Sequence, residues 1–240
     1  WTGSCNISDS GTGGYNANIA CLVRSKHIAS LYLEEFEQMY ISGRYHDTKK
    51  KSSKLPNNTL VGETQVALYF SPQDNAADKA IRPLLQSAKK TIDVAVFFLT
   101  HKTITGDLID AHHRGVKVRV ILDATGAKNG YTKLNFLREA GIPVKIENWG
   151  GKMHMKSAVV DSHHLILGSM NWTSAGNYSN DENTLIISSG PLSSSFSNFF
   201  EKLWASIPQK WLLGRPDPES KESGTSWNDG VDNDFDGRID

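Results

Sequence analysis

The chain has 240 residues, with 26 basic and 26 acidic side chains and a formal net charge of zero. This balance excludes a global field that would draw nucleic acid or an anionic membrane to the protein, so any recognition of phosphate must be local. The sequence contains no apolar run of the roughly 18 residues that a membrane span needs, and no leader opens it. We therefore expect no transmembrane segment.

Strand and helix patterns alternate from Glu63 onward. Strands are predicted at 64–70, 91–100, 116–123 and 142–147, and helices at 75–90, 103–115 and 133–141. Pro83 is expected to bend the first helix, and Gly115 and Gly141 are expected to end the other two. The closing part is richer in strands, at 153–161, 165–169 and 182–188, before a last helix at 194–207. The order predicts an α/β lobe over 63–207, with a mixed central sheet flanked by helices.

An internal repeat links the beginning of the chain to this lobe. A shift of 165 positions places Gly3, Ser4 and Asn6 on Gly168, Ser169 and Asn171. Residues 1–47 are therefore interpreted as the C-terminal part of a first, similar lobe. In this register Ala17 stands where the complete lobe has Glu182, so the equivalent acid is absent unless Asn16 or Asn18 replaces it.

Polar segments separate and follow the two lobes. Residues 48–62 form a basic linker, which is expected to be solvated or, alternatively, to steer phosphate. Residues 208–226 are a second linker, and 227–240 form an acidic tail. Both ends of the chain are interrupted patterns, so it is expected to be a fragment. Cys5 and Cys21 are interpreted as free thiols rather than as a disulfide.

The spacing H-x-K-x4-D-x6-G-S-x-N carries the candidate chemistry. His154 and Lys156 share one face of a predicted strand, where an imidazole can attack a phosphodiester and an ammonium can neutralise its oxygen. Asn171 and Ser169 add neutral donors where negative charge develops. Ser4 and Asn6, their counterparts in the repeat, are candidate substrate-binding residues.

A nucleophilic histidine also needs an acceptor for its second ring nitrogen. Asp161 and Glu182 are the candidates, and Glu182 is preferred because it lies a fixed distance beyond the Gly-Ser-x-Asn turn. Asp161 is the alternative orienting acid, or else it holds Lys156 or the neighbouring turn.

These residues and the segments "YFSP", "RGVKVRVILD" and "LREAGIPV" resemble the phospholipase D superfamily, most closely its bacterial endonuclease-like branch. The resemblance implies metal-independent phosphodiester cleavage through a covalent phosphohistidine. It implies that His154 is the nucleophile or the general acid, that Lys156 and Asn171 bind phosphate, and that Ser169 supports them. It also implies a second His-x-Lys motif, from a missing N-terminal part or from another subunit. His154 is the preferred nucleophile.

The acidic tail has the alternate carboxylates and the glycine of a calcium loop. Its candidate ligands for a structural Ca²⁺ are Asp232, Asp234, Asp236 and Asp240, and a disordered tail is the alternative. The loop resembles calcium-binding repeats of secreted proteins, so an extracytoplasmic or secreted location is expected. No cofactor is expected for catalysis.

Three functions remain open from the sequence. Nucleic acid is the preferred substrate because Lys128, Lys133 and Lys152 are expected near the rim of the site. Phospholipid is the alternative substrate. The third reading is a non-catalytic nucleic-acid-binding or interaction module on the same scaffold, which the incomplete first lobe would explain.

Overall fold

The structure is a computed structural model that describes residues 1–52, 58–149 and 151–216, together with Lys221 and Gly230. Its strands are β1 (Thr2–Gly3), β2 (Ala20–Cys21), β3 (Thr59–Val61), β4 (Thr64–Ser71), β5 (Thr91–Val96), β6 (Lys117–Leu122), β7 (Val144–Ile146), β8 (Lys156–Val160), β9 (His164–Gly168) and β10 (Glu182–Ser188). Its α-helices are α1 (Asp9–Thr12), α2 (Lys26–Phe36), α3 (Arg82–Ser87), α4 (Lys102–His113), α5 (Ala124–Lys128), α6 (Leu134–Glu139), α7 (Ser174–Tyr178) and α8 (Gly190–Ser206).

Eight strands form one mixed sheet in the order β3-β4-β10-β9-β8-β5-β6-β7. The three strands β5, β6 and β7 are parallel to one another, and the remaining pairs are antiparallel. This arrangement confirms the predicted α/β fold with a mixed central sheet. The antiparallel half follows from the hairpin between β8 and β9, because a short turn reverses the chain beside itself.

The two faces of the sheet bury two separate cores. Ile92, Val94 and Val96 of β5 point into a core that also contains Ile104 and Leu108 of α4. Ala95, on the same strand, belongs to the opposite core, in which Phe196 and Phe200 of α8 are buried. Because side chains alternate along a strand, a strand buried on both faces must be apolar throughout, as 91–96 nearly is.

The predicted helix at 75–90 differs from the observed structure. The chain makes a π-helical stretch at Ala77–Ile81 and then continues as the short helix α3. Pro83 lies in the first turn of α3, where its missing N–H needs no partner. Gly115 and Gly141 follow α4 and α6 with φ of 90° and 85°, as expected for helix-ending glycines.

The N-terminal segment packs on the complete lobe. β1 and β2 form a two-stranded ribbon, and the Thr2 hydroxyl donates a hydrogen bond to Asn183 Oδ1 at 2.8 Å. Ile28 and Leu31 of α2 are buried in the same core as α8. The segment and the lobe therefore share one apolar interior.

Lys49 does not lie in a solvated linker. Its ammonium is buried, contacts the carboxylate of Glu35, and lies 2.8 Å from Asp181 Oδ1 and 2.9 Å from the Ser71 carbonyl oxygen. The expectation for this lysine was wrong because two acids from distant parts of the chain converge on it. A buried ammonium needs such partners.

Cys5 and Cys21 are free thiols, as expected. Within the described part of the chain, no helix has the length and apolar character to cross a bilayer.

Candidate active site

His154 lies between the lobe and the N-terminal segment. Its backbone N–H donates to the Ala17 carbonyl at 3.0 Å, and Ala17 N–H donates to the Lys152 carbonyl at 2.8 Å. On the ring, Nδ1 lies 2.9 Å from the Ser4 carbonyl oxygen and 3.3 Å from Asn18 Oδ1. The reactive imidazole is therefore oriented by residues about 140 positions earlier in the sequence.

Both neighbours of Nδ1 are oxygen acceptors, so Nδ1 carries the proton and Nε2 keeps its lone pair. Burial and, after it, the positive charge of Lys156 together lower the pKa of His154 to about 4, against the effect of the Ser4 carbonyl. The imidazole is thus neutral near pH 7. A neutral ring with Nε2 unprotonated is the form that can attack phosphorus.

Lys156 begins β8 and is almost fully buried. Its ammonium donates to the His154 carbonyl at 2.7 Å and lies 5.2 Å from the centre of the Phe97 ring. Burial lowers the pKa of Lys156 to about 7, although the carboxylates of Glu182 and Asp123 oppose this. A cation that is poorly compensated inside the protein is well suited to bind a phosphate oxygen.

The Gly-Ser-x-Asn turn lies beside this pair. The Ser169 hydroxyl donates to Glu182 Oε2, and burial raises the pKa of Glu182. Asn171 is half-buried, and its side-chain Oδ1 has no hydrogen-bond partner among the described residues. Glu182 therefore links the turn to Lys156, because its carboxylate accepts from Ser169 and its charge acts on the ammonium.

The N-terminal segment repeats the hydrogen bonds that the serine of this turn makes with the returning strand. Ser4 N–H donates to the Ile19 carbonyl at 2.9 Å, and Ser169 N–H donates to the Asn183 carbonyl at 3.0 Å. The return bonds, from the next strand's N–H to the serine hydroxyl, are both 3.0 Å. Ile19 therefore corresponds to Asn183.

The counterpart of Glu182 is consequently Asn18 and not Ala17. The Ser4 hydroxyl donates to Asn18 Oδ1 at 2.9 Å, as the Ser169 hydroxyl donates to Glu182. The register expected from the sequence was wrong by one position at this point, because the loop before β2 is one residue longer than its counterpart before β10. The tertiary structure thus selects one of the two asparagines considered as replacements.

The expectation that Glu182 orients His154 was also wrong. The acceptors at His154 Nδ1 are Ser4 and Asn18 from the other half of the repeat, and Glu182 bonds to Ser169 and Asn180. The N-terminal half of the repeat therefore presents its acceptors to His154 across the boundary between the halves, which a register within one half cannot reveal.

Ser4 differs from its predicted role as a substrate-binding residue, whereas the role of Asn6 stays a prediction. The Ser4 side chain is buried and its hydroxyl bonds to Asn18, so Ser4 contributes its backbone carbonyl to the imidazole instead. Asn6 is exposed in the loop between β1 and α1.

Asp161 lies at the opposite end of β8 from Lys156. It accepts hydrogen bonds from the backbone N–H groups of Lys89, Lys90 and Thr91 at 2.7–3.0 Å. Asp161 is five positions beyond Lys156, and five positions along a strand span about 16 Å. The structure therefore does not bring Asp161 into the site; it holds the turn before β5. Burial opposes its ionisation, but the three donors keep the pKa of Asp161 below its ordinary value.

Two buried acids beneath the site were missed from the sequence. Asp123 accepts from Met153 N–H at 3.0 Å and from Gly126 N–H at 2.8 Å, and Glu147 accepts from Ala124 N–H at 2.7 Å. They follow the parallel strands β6 and β7, whose carboxyl ends meet at one edge of the sheet. This position was a usable signal, because polar residues after parallel strands converge.

The two carboxyls affect one another. Burial raises the pKa of Asp123, and burial together with the charge of Asp123 raises the pKa of Glu147 well above its ordinary value. Like charges at close range oppose each other's ionisation, so the charge of Asp123 adds to the effect of burial in favouring the protonated form of Glu147. The pair holds the chain immediately before His154 through the Met153 N–H.

The site is built without a metal cluster. Across residues 1–52, 58–149 and 151–216, no group of three or more His, Cys, Asp or Glu side chains could hold a metal ion. The calcium ligands predicted at Asp232, Asp234, Asp236 and Asp240 lie outside the described residues.

Comparison with known proteins agrees with this geometry. Residues 81–204 match the family model described as cardiolipin synthase, PLD-like domain. The chain is 37% identical over 120 residues to the mitochondrial cardiolipin hydrolase of Chlamydomonas reinhardtii, a match that covers 50% of this chain and 54% of that protein. It is 30% identical over 175 residues to phospholipase D of Rickettsia typhi, which covers 68% of this chain and 85% of the relative.

Among solved structures, the chain is similar to Nuc from Salmonella typhimurium, a phospholipase D family member. The TM-score is 0.57 and the identity 27%, and the match covers 61% of this chain and 97% of that one. The matched family model spans more than half of the chain and contains the whole His154–Asn171 motif. The chain therefore belongs to the phospholipase D superfamily.

Proposed function

We propose that the protein is a phosphodiesterase that acts through a covalent phosphohistidine at His154. The observation that carries this proposal is the fixed tautomer of the imidazole, with Nδ1 facing two oxygen acceptors and Nε2 left unprotonated beside a buried lysine. A buried ammonium with few opposing charges costs free energy, and a histidine with a purely structural role does not require one beside it.

The reaction would proceed in two balanced displacements. His154 Nε2 attacks phosphorus, the bond to the leaving oxygen breaks, and that oxygen takes a proton from a general acid. Water then attacks phosphorus, gives its proton to the same group, and releases His154. Lys156 and Asn171 neutralise the non-bridging oxygens while negative charge grows in each step.

The general acid in this scheme is a second histidine from a related motif. Ser4 and Asn18 orient His154, so Ser169 and Glu182, their counterparts, are placed to orient a histidine in the related position. Glu182 offers a carboxylate where Asn18 offers an amide. A carboxylate stabilises an imidazolium and favours the acid role, so the neutral His154 is the nucleophile. Residues upstream in the protein or a second subunit would supply this histidine.

Nucleic acid is the proposed substrate, and phospholipid is the second candidate. The chain has no net charge, so binding rests on local cations such as Lys133 and Lys152 near the site. The names of two relatives, cardiolipin hydrolase and phospholipase D, favour the phospholipid alternative. A steep fall of activity with salt supports nucleic acid, because phosphate contacts release counterions.

The test is turnover of a chromogenic phosphodiester by protein that carries both His-x-Lys motifs, with a metal chelator present. We expect turnover to persist, and His154→Ala to lower it by roughly 10⁴-fold or more. His164→Ala is the matched control, because His164 is half-buried beside Ser188 and pairs with Val160, at the end of β8 opposite Lys156. Absence of turnover at every pH in the unmodified protein would favour a non-catalytic binding module.

The acidic tail at 227–240 is a separate proposal. We propose that Asp232, Asp234, Asp236 and Asp240 bind a structural Ca²⁺, as their alternate carboxylates suit a hard cation. No step above uses this ion. Titration calorimetry with Ca²⁺ should detect binding that Asp234→Asn and Asp236→Asn abolish, while turnover in chelator stays unchanged. Such a loop is consistent with an extracytoplasmic location.

A further inference from the structure

A second concave surface lies next to the reactive histidine. It is an open cleft of about 400 Å³, and its walls include Phe98, Thr100, Asn129, Tyr131, Lys133 and Thr173. Thr173 is two residues beyond Asn171 of the motif. The cleft therefore begins where the phosphate-binding turn ends.

Ring contacts connect the cleft to His154. The centre of the Phe97 ring lies 5.0 Å from that of the His154 imidazole and 4.2 Å from that of Phe98. Phe98 is thus within about 9 Å of the reactive ring. The group next to a phosphate bound at His154 can reach this wall.

Tyr131 is the most unusual residue of the cleft. Its side chain is 79% exposed, although large aromatic residues gain free energy when they are buried. The loop that carries it is nevertheless well held. Tyr131 N–H donates to Asn129 Oδ1 at 2.9 Å, and Lys133 N–H donates to the Leu99 carbonyl at 3.1 Å. The loop holds an exposed ring in a defined place.

The rest of the lining combines polar and basic groups with apolar surface. Thr100, Asn129 and Thr173 bring hydroxyl and amide groups, and the Lys133 ammonium lies 5.4 Å from the centre of the Phe136 ring. An acyl chain in this cleft would take those polar groups out of water without pairing them, which costs free energy. A planar base has polar edges, aromatic faces and an adjoining phosphate, so it matches all three kinds of lining.

We propose that this cleft binds the nucleobase next to the scissile phosphate of a single-stranded nucleic acid, with the base stacked on Tyr131 and Phe98 and the following phosphate near Lys133. The inference rests on the proposed phosphodiesterase function and specifies its substrate. A single strand is required because a base in a duplex is already stacked and cannot offer its face to a protein ring.

The test is binding, which does not depend on turnover. A fluorescein-labelled single-stranded decathymidylate, the corresponding duplex and anionic phospholipid vesicles are titrated with the full protein and its variants. We expect Tyr131→Ala to weaken binding of the single strand by about tenfold, and Tyr131→Phe, which keeps the ring, to stay within about twofold. Tyr40→Ala is the matched control: Tyr40 is 73% exposed in the N-terminal segment and does not line the cleft.

Two outcomes would overturn the subsite. One is single-strand affinity that is the same with and without the Tyr131 ring. The other is a loss in Tyr131→Ala that appears with vesicles and not with the oligonucleotide. Turnover of the chromogenic ester by the unmodified protein tests the phosphodiesterase proposal separately. Ring-dependent oligonucleotide binding without any turnover would support the subsite while rejecting the reaction.

Discussion

The turn at Gly3–Asn6 and the turn at Gly168–Asn171 share the hydrogen bonds of their serines to the returning strand and differ in the residue that accepts from the serine hydroxyl. Both glycines have φ near +150°, and both serines hydrogen-bond to the strand that returns beside them. The partner of the first serine hydroxyl is Asn18, and that of the second is Glu182. The acceptor of the serine hydroxyl is therefore an amide oxygen in the first half and a carboxylate oxygen in the second half.

The difference teaches how two similar half-sites can take different roles. An amide oxygen near His154 fixes the tautomer without adding charge, and the pKa of that histidine stays low at about 4. A carboxylate in the related position would hold a partner histidine protonated. In the proposed mechanism, this difference in one residue separates the nucleophile from the general acid, as a two-step displacement needs.

Glu182→Gln makes the second half resemble the first, and among the variants that compare the two halves we expect the largest effect from it. The Ser169 hydroxyl keeps an amide oxygen as acceptor, but the charge that favours an imidazolium disappears. In protein that carries both motifs, kcat should fall by about 10²- to 10³-fold. The control is Glu201→Gln, since Glu201 pairs with Arg119 on the outer side of α8. An undiminished kcat would show that Glu182 has no part in the acid step.

Gly168→Ala and Gly3→Ala compare the backbones of the two turns. A Cβ would meet the Asn183 carbonyl oxygen at 2.2 Å in the first variant and the Ile19 carbonyl oxygen at 2.1 Å in the second. We expect Gly168→Ala to lower the free energy of unfolding by about 2 to 3 kcal/mol, because it disturbs a central strand. Gly3→Ala should cost less, about 1 kcal/mol, because β1 is a two-residue ribbon strand.

Urea denaturation measures both losses. Gly106→Ala serves as the control, because Gly106 lies inside α4 with open space at its Cβ position and should be neutral or slightly stabilising. Equal losses at Gly3 and Gly168 would mean that the ribbon is as integral to the fold as the sheet.

Asn18→Asp makes the first half resemble the second. A carboxylate in place of the amide oxygen, 3.3 Å from His154 Nδ1, should raise the pKa of the imidazole. In the unmodified protein the pKa of His154 is about 4, so the proposed nucleophile is neutral above that pH. We therefore expect kcat/KM to fall along its acid limb as the pH drops through about 4. We expect the limb to move upward by about one pH unit or more.

An NMR titration of the His154 ring checks this directly. The pKa of His154 is lowered by folding, so the stability it contributes is present above pH 6.5 and is lost as the pH falls toward 4. The variant should lose less stability over that range. Asn16→Asp is the control, because Asn16 Oδ1 accepts from Lys152 N–H and not from the imidazole. A limb that stays at pH 4 in Asn18→Asp would remove Asn18 from the orienting pair.

Asp161→Ala should have the smallest effect on catalysis and leave the comparison between the two turns unchanged. It removes the acceptor of three backbone N–H groups, and we expect the free energy of unfolding to fall by about 1 to 2 kcal/mol. Thermal denaturation measures this loss. The kcat of the folded enzyme should not change, and a large fall in kcat would return Asp161 to the active site.

The fold was largely predictable because its signals are local. The buried strand at 91–96 is apolar except for Thr91 and Asp93, and the helices 102–113 and 134–139 end before glycines with positive φ. The exception is 77–87, where the sequence pattern predicts one helix and the chain forms a π-helical stretch followed by α3. Periodicity cannot distinguish these helical forms over so short a segment.

The candidate site was only partly predictable. The motif spacing identified four residues of the candidate site, namely His154, Lys156, Ser169 and Asn171. The spacing did not identify the residues that contact or support them. These residues, Asn18, Phe97, Asp123 and Glu147, belong to no motif in the sequence. The position of Asp161 inside the motif suggested a role in the site, but a strand runs straight and carried it to the far end of the sheet.

The sequence by itself determined the order of strands and helices, the repeat of the Gly-Ser-x-Asn turn and the reactive histidine and lysine, because periodicity and spacing are written along the chain. Only the tertiary structure decided which acceptors face His154, which acid lies outside the site, and that Lys49 is buried. Those outcomes depend on groups more than ten, and in one case about 150, positions apart. Their proximity follows from packing two halves of a repeat against each other, which no local pattern encodes.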